Sequence, residues 1–167
     1  MAVLPIRTFP DPCLKSPNQP VERVTPQILQ LISDLIETMR AHRRCVGLAA
    51  PQVGSNLRVA VIDVSAHPKA QRSNGLMVLV NPQITVREQP LMQREGCLSI
   101  PDLTANVIRA NRIQLKALDR AGNPWSRTLD GFEAIAAQHE VDHLDATLFL
   151  DRVVNLKTDL FRRKTYL

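Results

Sequence analysis

The sequence predicts an α+β fold with largely antiparallel strand pairing. Short apolar runs rich in β-branched residues occupy the middle of the chain, with one helical pattern before them and one after. These runs do not alternate with helices, as the βαβ units of a parallel sheet would require. No segment of the 167 residues has the composition of a linker, so we expect a single domain over residues 1–167.

The N-terminal part predicts an extended arm followed by a helix. Five prolines fall within residues 1–24, which we expect to cross the surface without regular structure. Thr25-Pro26 is typical of an N-cap followed by proline at the first helical position. Apolar residues then recur at helical spacing from Ile28 to Met39, which predicts a helix with one apolar face.

The middle of the chain predicts several strands. They are expected at residues 57–64, 76–80, 107–108, 113–118 and 125–129. Asn81-Pro82 is expected to interrupt the second of these, and residues 84–86 to resume it. Residues 119–123 have the composition of a turn. Gly131 is expected to open a second helix.

Composition favours a globular cytoplasmic protein. Hydrophobic residues make up 44% and charged residues 22% of the chain. No apolar run approaches the roughly 20 residues that a membrane-spanning helix needs, and the N-terminus lacks the apolar stretch of a signal peptide. Three cysteines are too few and too scattered for a disulfide framework.

The stretch QHEVDH, residues 138–143, predicts a metal site. Residues four apart in a helix differ by about 400°, so His139 and His143 lie on one face. Glu140 lies beside them, where it can touch a water without coordinating the ion. Apolar residues upstream in the same helix indicate that it is buried, and buried imidazoles need partners that a metal supplies well.

A catalytic metal usually takes three protein ligands, and this helix supplies two. Downstream residues do not complete the set: no glutamate follows Glu140, and Phe149 stands where one protease class has a third histidine. Upstream, Cys97 is a strong ligand type beside the small residue Gly96. The alternatives are the remaining carboxylates and Cys13, Cys45, His42 and His67.

Three spaced motifs resemble those of the peptide deformylases. They are GLAAPQVG at residues 47–54, EGCLS at residues 95–99 and QHEVDH, and the similarity extends over about residues 3–156. The resemblance implies sheets packed around a central helix that carries the HExxH motif. It also implies a hydrolase of protein biosynthesis that removes the N-formyl group from the N-terminal formylmethionine of nascent polypeptides and releases formate.

The resemblance also implies the site. Cys97 would be the third metal ligand with His139 and His143, and the ion would be one divalent metal, natively Fe²⁺, with Zn²⁺, Ni²⁺ or Co²⁺ as alternatives. Glu140 would move the proton from water to the leaving amine. The Gln52 side-chain amide and the Leu98 backbone N–H would stabilise the oxyanion.

Methionine recognition requires an apolar slot beside the metal. The candidates are Val46, Leu98, Phe132, Ile135 and Ala136. The Gly47 backbone would pair with the substrate peptide as an added strand. The resemblance further implies that Glu95 pairs with Arg109.

Two other functions stay open at this stage. One is a different HExxH metallopeptidase. The other is a catalytically weak relative that binds the ribosome, suggested by Cys45, which stands where the first motif usually has glycine, and by a basic C-terminus. That C-terminus contains Lys157, Arg162, Arg163 and Lys164.

The basic C-terminus has two interpretations. It is either a solvated terminal helix or a weak electrostatic contact with ribosomal RNA. We expect no binding to membranes or DNA, and a monomer.

Overall fold

The computed structural model describes residues 2–163. Its helices are α1 (Pro26–Ala41), α2 (Gly131–Leu144) and the single turn α3 (Leu156–Asp159), with 3₁₀ turns at Pro12–Lys15, Ala50–Val53 and Phe149–Arg152. Its strands are β1 (Gly47–Ala49), β2 (Val59–Ile62), β3 (Met77–Cys97), β4 (Ile100–Leu118), β5 (Pro124–Asp130) and β6 (Leu160–Arg162).

One sheet contains all of these strands. Its order is β1-β2-β3-β4-β5, and β6 pairs with β4 beside that path. Every pair of neighbouring named strands is antiparallel. The predicted α+β class with antiparallel pairing is therefore confirmed.

The expected interruption of a strand at Asn81-Pro82 is wrong. Strand β3 continues through both residues with a bulge, since its register against β4 shifts between Val80 and Gln83. The backbone N–H and C=O of Val21 each bond the Asn81 side chain at 2.8 Å. A bulge tolerates proline because it leaves the ladder hydrogen bonds locally open.

The predicted separation of residues 107–108 from 113–118 is also wrong, because both belong to the continuous strand β4. The polar residues between them had suggested a break. One of them, Arg109, is instead buried in ion pairs, and another, Arg112, pairs with Asp130 at 2.6 Å on the neighbouring strand. Period-two apolar patterns miss such a strand.

Helix α1 begins as the sequence predicts. The backbone N–H of Ile28 donates to the Thr25 hydroxyl at 3.4 Å, and Pro26 occupies the first helical position. The preceding arm is mostly irregular, but it is not confined to the surface, because Leu14 and Val21 are buried.

Strand β2 lies between the two long helices. Val59 and Val61 pack in the cluster that contains the apolar face of α1, whereas Ala60 and Ile62 pack in the cluster that contains α2. Both faces of β2 are therefore buried, which explains its unbroken apolar sequence. Helix α2 is buried along nearly its whole length and contacts β1, β2, β4 and β5.

The C-terminal segment does not form the solvated helix that was one of its two interpretations. After the single turn α3, residues Leu160–Arg162 add strand β6 to the outer part of β4, with Phe161 opposite Thr104. Lys164 lies outside the described residues. Within residues 2–163, no helix combines the length and the apolarity needed to cross a membrane.

Candidate metal centre

Two distant segments bring three ligand-type side chains together. Cys97 is the last residue of β3, and His139 and His143 lie one turn apart on α2. Their candidate ligand atoms all lie within 4.8 Å of one another, and Cys97 Sγ is 3.3 Å from His143 Nε2. The tight β3–β4 turn at residues 98–99 directs the end of β3 towards α2.

A carboxylate orients the first histidine. His139 Nδ1 lies 2.8 Å from Glu95 Oε2, which leaves Nε2 free to bind an ion. Arg109 donates to both oxygens of Glu95, at 2.7 and 2.9 Å, forming the ion pair that the resemblance implied. Burial opposes ionisation of Glu95, but the hydrogen bonds from Arg109 and His139 outweigh it and lower its pKa to about 2.

The hydrogen-bonded support of His139 extends beyond the Glu95–Arg109 pair that the resemblance implied. Arg109 also donates to Asp142, and Asp142 accepts from Arg152 through both of its oxygens. A chain of charge-assisted bonds thus runs from half-exposed Arg152 to His139. Asp142 stands inside the QHEVDH motif, which was the only sequence signal for its role.

The surroundings of Cys97 favour its thiolate form. Burial alone raises the pKa of this thiol, but the imidazoles of His143 and His139 hold the pKa well below its ordinary value. The Gln52 side-chain amide also donates to Cys97 Sγ at 3.3 Å. A thiolate is the form that binds a metal.

Gln52 is held in a fixed orientation. Its Oε1 accepts from the backbone N–H of Ala49 at 2.9 Å, and its amide Nε2 also donates to the hydroxyl of buried Ser99 at 3.2 Å. The carboxamide oxygen is therefore occupied, and the N–H donors face the centre. Ser99 was not identified from the sequence, although it belongs to the EGCLS motif.

Glu140 is a buried carboxylate beside the three ligand-type residues. Its Oε2 has no hydrogen-bond partner within residues 2–163, and burial raises its pKa to about 7. A Cβ on Gly47 would lie 2.4 Å from Glu140 Oε1. The strand β1 can approach this carboxylate so closely only because residue 47 has no side chain.

A cleft of about 870 Å³ opens onto the centre. The sequence-predicted site residues that line it are Val46, Gly47, Gln52, Cys97, Leu98, Phe132, Ile135, Ala136, His139 and Glu140. His143 is buried behind this surface against Cys97. The structure thus brings all the predicted site residues into one region.

His67, one of the alternative third ligands that the sequence left open, lies at the wall of the cleft. Its ring stacks on Phe132 with centroids 4.3 Å apart, at the wall of the cleft. In the described part of the chain, the one group of histidine, cysteine and acidic residues able to hold an ion is Cys97, His139 and His143. Cys13, Cys45 and His42 are not part of it.

The donor set fits a transition metal. One sulfur and two imidazole nitrogens suit iron, zinc, cobalt or nickel. Three protein ligands leave a coordination position for water, and an adjacent carboxylate with an unpartnered oxygen could exchange a proton with it. The residues present can therefore support hydrolysis.

Comparison with known proteins identifies the family. The family model for polypeptide deformylase matches residues 3–159. The chain belongs to the polypeptide deformylase family. The prediction from the three motifs is confirmed, and this deformylase is a hydrolase of protein biosynthesis that acts on formylated nascent peptides.

Similar proteins and similar crystal structures are also peptide deformylases. A peptide deformylase of Alkalilimnicola ehrlichii is 44% identical over 164 residues, which are 98% of this chain and 89% of that protein. The crystal structure of a Legionella pneumophila peptide deformylase is 39% identical, covers 93% of this chain and 89% of its own, and has a TM-score of 0.85. A Met-Ala-Ser-bound deformylase from Acinetobacter baumannii is 34% identical, covers 91% and 99% of the two chains, and has a TM-score of 0.84.

Proposed function

We propose that this deformylase is metal-dependent, removes the N-formyl group from the formylmethionine of nascent polypeptides and releases formate. One observation carries the proposal. The ligand atoms of Cys97, His139 and His143 lie within 4.8 Å of one another, beside the buried carboxylate of Glu140. We further propose that α2 is the central helix around which this site is built.

Cys97, His139 and His143 would hold the ion, which we propose to be Fe²⁺ natively, with Zn²⁺, Ni²⁺ or Co²⁺ also accepted. A divalent ion in such a site lowers the pKa of water, which makes a nucleophile available near neutral pH. Glu95 fixes the ring of His139 for this task, and Arg109 holds Glu95 in its charged form.

Glu140 is the general base and acid of the proposal. It takes a proton from the attacking water and passes it to the amine that leaves when the formyl C–N bond breaks. Burial raises the pKa of this carboxyl to about 7, and the positive charge of a bound ion would lower it, so Glu140 would be ionised and able to accept the proton near neutrality. Its unpartnered Oε2 is free for this work within the described chain.

The carbonyl oxygen gains negative charge during attack and needs hydrogen-bond donors. We assign the Gln52 amide and the Leu98 backbone N–H to this role. The Gln52 assignment is supported by the bond from the Ala49 N–H, which fixes the carboxamide with its N–H donors towards Cys97. Such a fixed donor need not reorganise as charge develops.

The substrate would lie in the cleft with methionine in the apolar slot. We assign Val46, Leu98, Phe132, Ile135 and Ala136 to that slot, all of them in the cleft wall. Strand β1 is at the end of the sheet path, so the Gly47 backbone lies at an outer edge where a peptide would pair. The peptide would replace the weak hydrogen bond that the Cys45 thiol donates to the Gly47 C=O at 3.0 Å. The A. baumannii relative with bound Met-Ala-Ser supports a short methionine-initiated peptide as the ligand.

Other properties stay predictions. They are a single catalytic domain over residues 1–167, a cytoplasmic monomer, and weak ribosome contact through the basic C-terminus. Of the alternative functions, another HExxH metallopeptidase loses support because the chain belongs to the deformylase family. A ribosome-binding relative without turnover loses support because Glu140 occupies the catalytic position.

The test is formate release from formyl-Met-Ala-Ser by metal-loaded protein. Glu140→Gln keeps the metal but should lower kcat by about 10²–10⁴-fold, since the proton carrier is lost. Glu22→Gln is the matched control, because Glu22 is exposed and is not among the residues that line the cleft. Undiminished turnover by Glu140→Gln would refute the role of Glu140. Cleavage of internal peptide bonds would support a peptidase, and salt-sensitive ribosome binding without turnover a binding protein.

A further inference from the structure

The cleft that leads to the candidate metal centre has a cationic mouth. Six exposed basic side chains line it, namely Arg43, Arg44, Lys69, Arg94, Arg162 and Arg163. Among residues 2–163, the only acidic residues in its lining are Glu95 and Glu140, and both are buried. Glu95 is already bound to Arg109 and His139. Over the described part of the chain, the outer cleft is therefore positive with no exposed acidic counterpart in its walls.

These six charges are not neutralised elsewhere in the described chain. None of the six forms a salt bridge to a carboxylate of residues 2–163. Arg94 instead donates to Asn106 and Thr104, at 3.0 and 3.2 Å, and lies 3.4 Å over the ring of Phe161. Like charges that converge without partners raise the local potential and attract an anionic ligand.

The positive side chains come from four separate segments. Arg43 and Arg44 lie shortly before β1, Lys69 follows β2, and Arg94 lies near the end of β3. Arg162 ends β6, and Arg163 follows it. The net charge of the whole chain is only +5, so the six cations in this cleft are a local concentration of charge and do not simply reflect a strongly basic composition. Arg43 and Arg44 also adjoin the β1 edge where the substrate backbone would pair.

We propose that the cleft mouth selects formylated peptides with aspartate or glutamate in the residues that follow formylmethionine. This inference rests on the proposed function, which places methionine in the slot beside His139 and leads the following residues outward past the cations. Each new ion pair at such an exposed position should improve binding about two- to fivefold.

Nucleic acid is a poorer fit to the same surface. Single-stranded RNA binds best where open aromatic rings can stack on its bases. The two phenylalanines in the cleft wall are already covered, Phe161 by the guanidinium of Arg94 and Phe132 by the ring of His67. An extended acidic peptide needs only the charges and the strand edge.

The experiment compares three amidated substrates, formyl-Met-Ala-Ser, formyl-Met-Ala-Glu and formyl-Met-Ala-Lys. Amidation removes the terminal carboxylate, which would itself bind the cations. At low salt, we expect KM to be lowest for the glutamate peptide and highest for the lysine peptide, by about two- to fivefold at each step. These differences should disappear at about 0.5 M salt, where the Debye length falls to a few ångströms.

Charge reversal tests the residues directly. Arg43→Glu/Arg162→Glu should shrink the KM difference between the glutamate and lysine peptides, because the two reversals reduce the six positive charges of the cleft mouth to a net of two. The matched control Arg23→Glu/Arg120→Glu makes the same change in net charge at exposed arginines outside the cleft, and should keep the original KM difference.

Equal KM values for the three peptides would overturn the inference, as would identical selectivity in the two double variants. Oligouridylate could instead compete with substrate in the parent chain but not in Arg43→Glu/Arg162→Glu. If the three peptides also showed equal KM values, that result would indicate RNA binding and would overturn the inference. Formate release from the serine peptide distinguishes a failure of the proposed function from a failure of this inference. Its absence defeats the proposed function, whereas release without charge selectivity defeats only this inference.

Discussion

Gly47→Ala offers a sharp test of how strand β1 positions Glu140. The φ angle of Gly47 is not in the left-handed region, so alanine fits its backbone. The added Cβ, however, would lie 2.4 Å from Oε1 of Glu140 and 2.8 Å from its Cδ and Cγ. Ordinary contact begins near roughly 3.5 Å, so the carboxylate must recede by about 1 Å.

The expected magnitude follows from that displacement. A shift of about 1 Å in a catalytic group costs on the order of 10²-fold in rate, or about 2.7 kcal/mol of barrier. We therefore expect kcat for formate release from formyl-Met-Ala-Ser to fall about 100-fold. Metal content should stay near one ion per chain, because the three atoms nearest the added Cβ all belong to Glu140 and none to Cys97, His139 or His143.

Gly75→Ala is the matched control. Its Cβ would meet no atom within 4 Å, but its φ of +72° is unfavourable for alanine. This variant should lose about 1–2 kcal/mol of stability and keep full activity. If Gly47→Ala is folded, metal-loaded and as active as the parent chain, the positioning argument is wrong.

Two further predictions concern the buried charges and the thiols. Arg109→Met leaves Glu95 buried without its cation and should lower the free energy of unfolding in urea by about 3–5 kcal/mol. Arg112→Met, the control at an exposed ion pair, should lower it by under about 1 kcal/mol. Equal losses in the two variants would contradict the prediction. Chelation should let iodoacetamide label Cys97, which bound metal protects. Burial raises the pKa of Cys45 to about 12, so its thiolate is scarce at pH 8. Labelling of Cys45 should therefore be slow at pH 8 and accelerate with rising pH. Fast labelling of Cys45 at pH 8, detected by mass mapping, would contradict the prediction.

The helices and the placement of the two candidate ligands on one helix were predictable because their signals are local. Thr25-Pro26 begins α1 as its capping chemistry indicates, and the four-residue spacing of His139 and His143 requires only a helix. Strand extents were less predictable. Strand β3 crosses Asn81-Pro82 because a long-range bond from the Asn81 side chain to Val21 supports the bulge, and short windows of sequence do not contain that contact.

The proposed third ligand, Cys97, was also not predictable from short windows of sequence. From the residues alone, Cys97 was one of several candidates, and the resemblance selected it. The reason lies in the fold, since the turn between β3 and β4 brings residue 97 against α2 across 46 positions of sequence. The links from Arg109 to Asp142 and from Asp142 to Arg152 are equally nonlocal. Gln52 was assigned by resemblance, and its oxyanion role stays a proposal, supported by the hydrogen bonds that orient its carboxamide.

X-ray absorption on the zinc-loaded chain tests the proposed coordination most directly. We predict one sulfur neighbour at about 2.3 Å and two imidazole nitrogens at about 2.0–2.1 Å, with the remaining position filled by a light atom. The sulfur contribution should vanish in Cys97→Ser and persist in Cys45→Ser. A zinc shell without sulfur in the parent chain, or one whose sulfur survives Cys97→Ser, would contradict the proposed site.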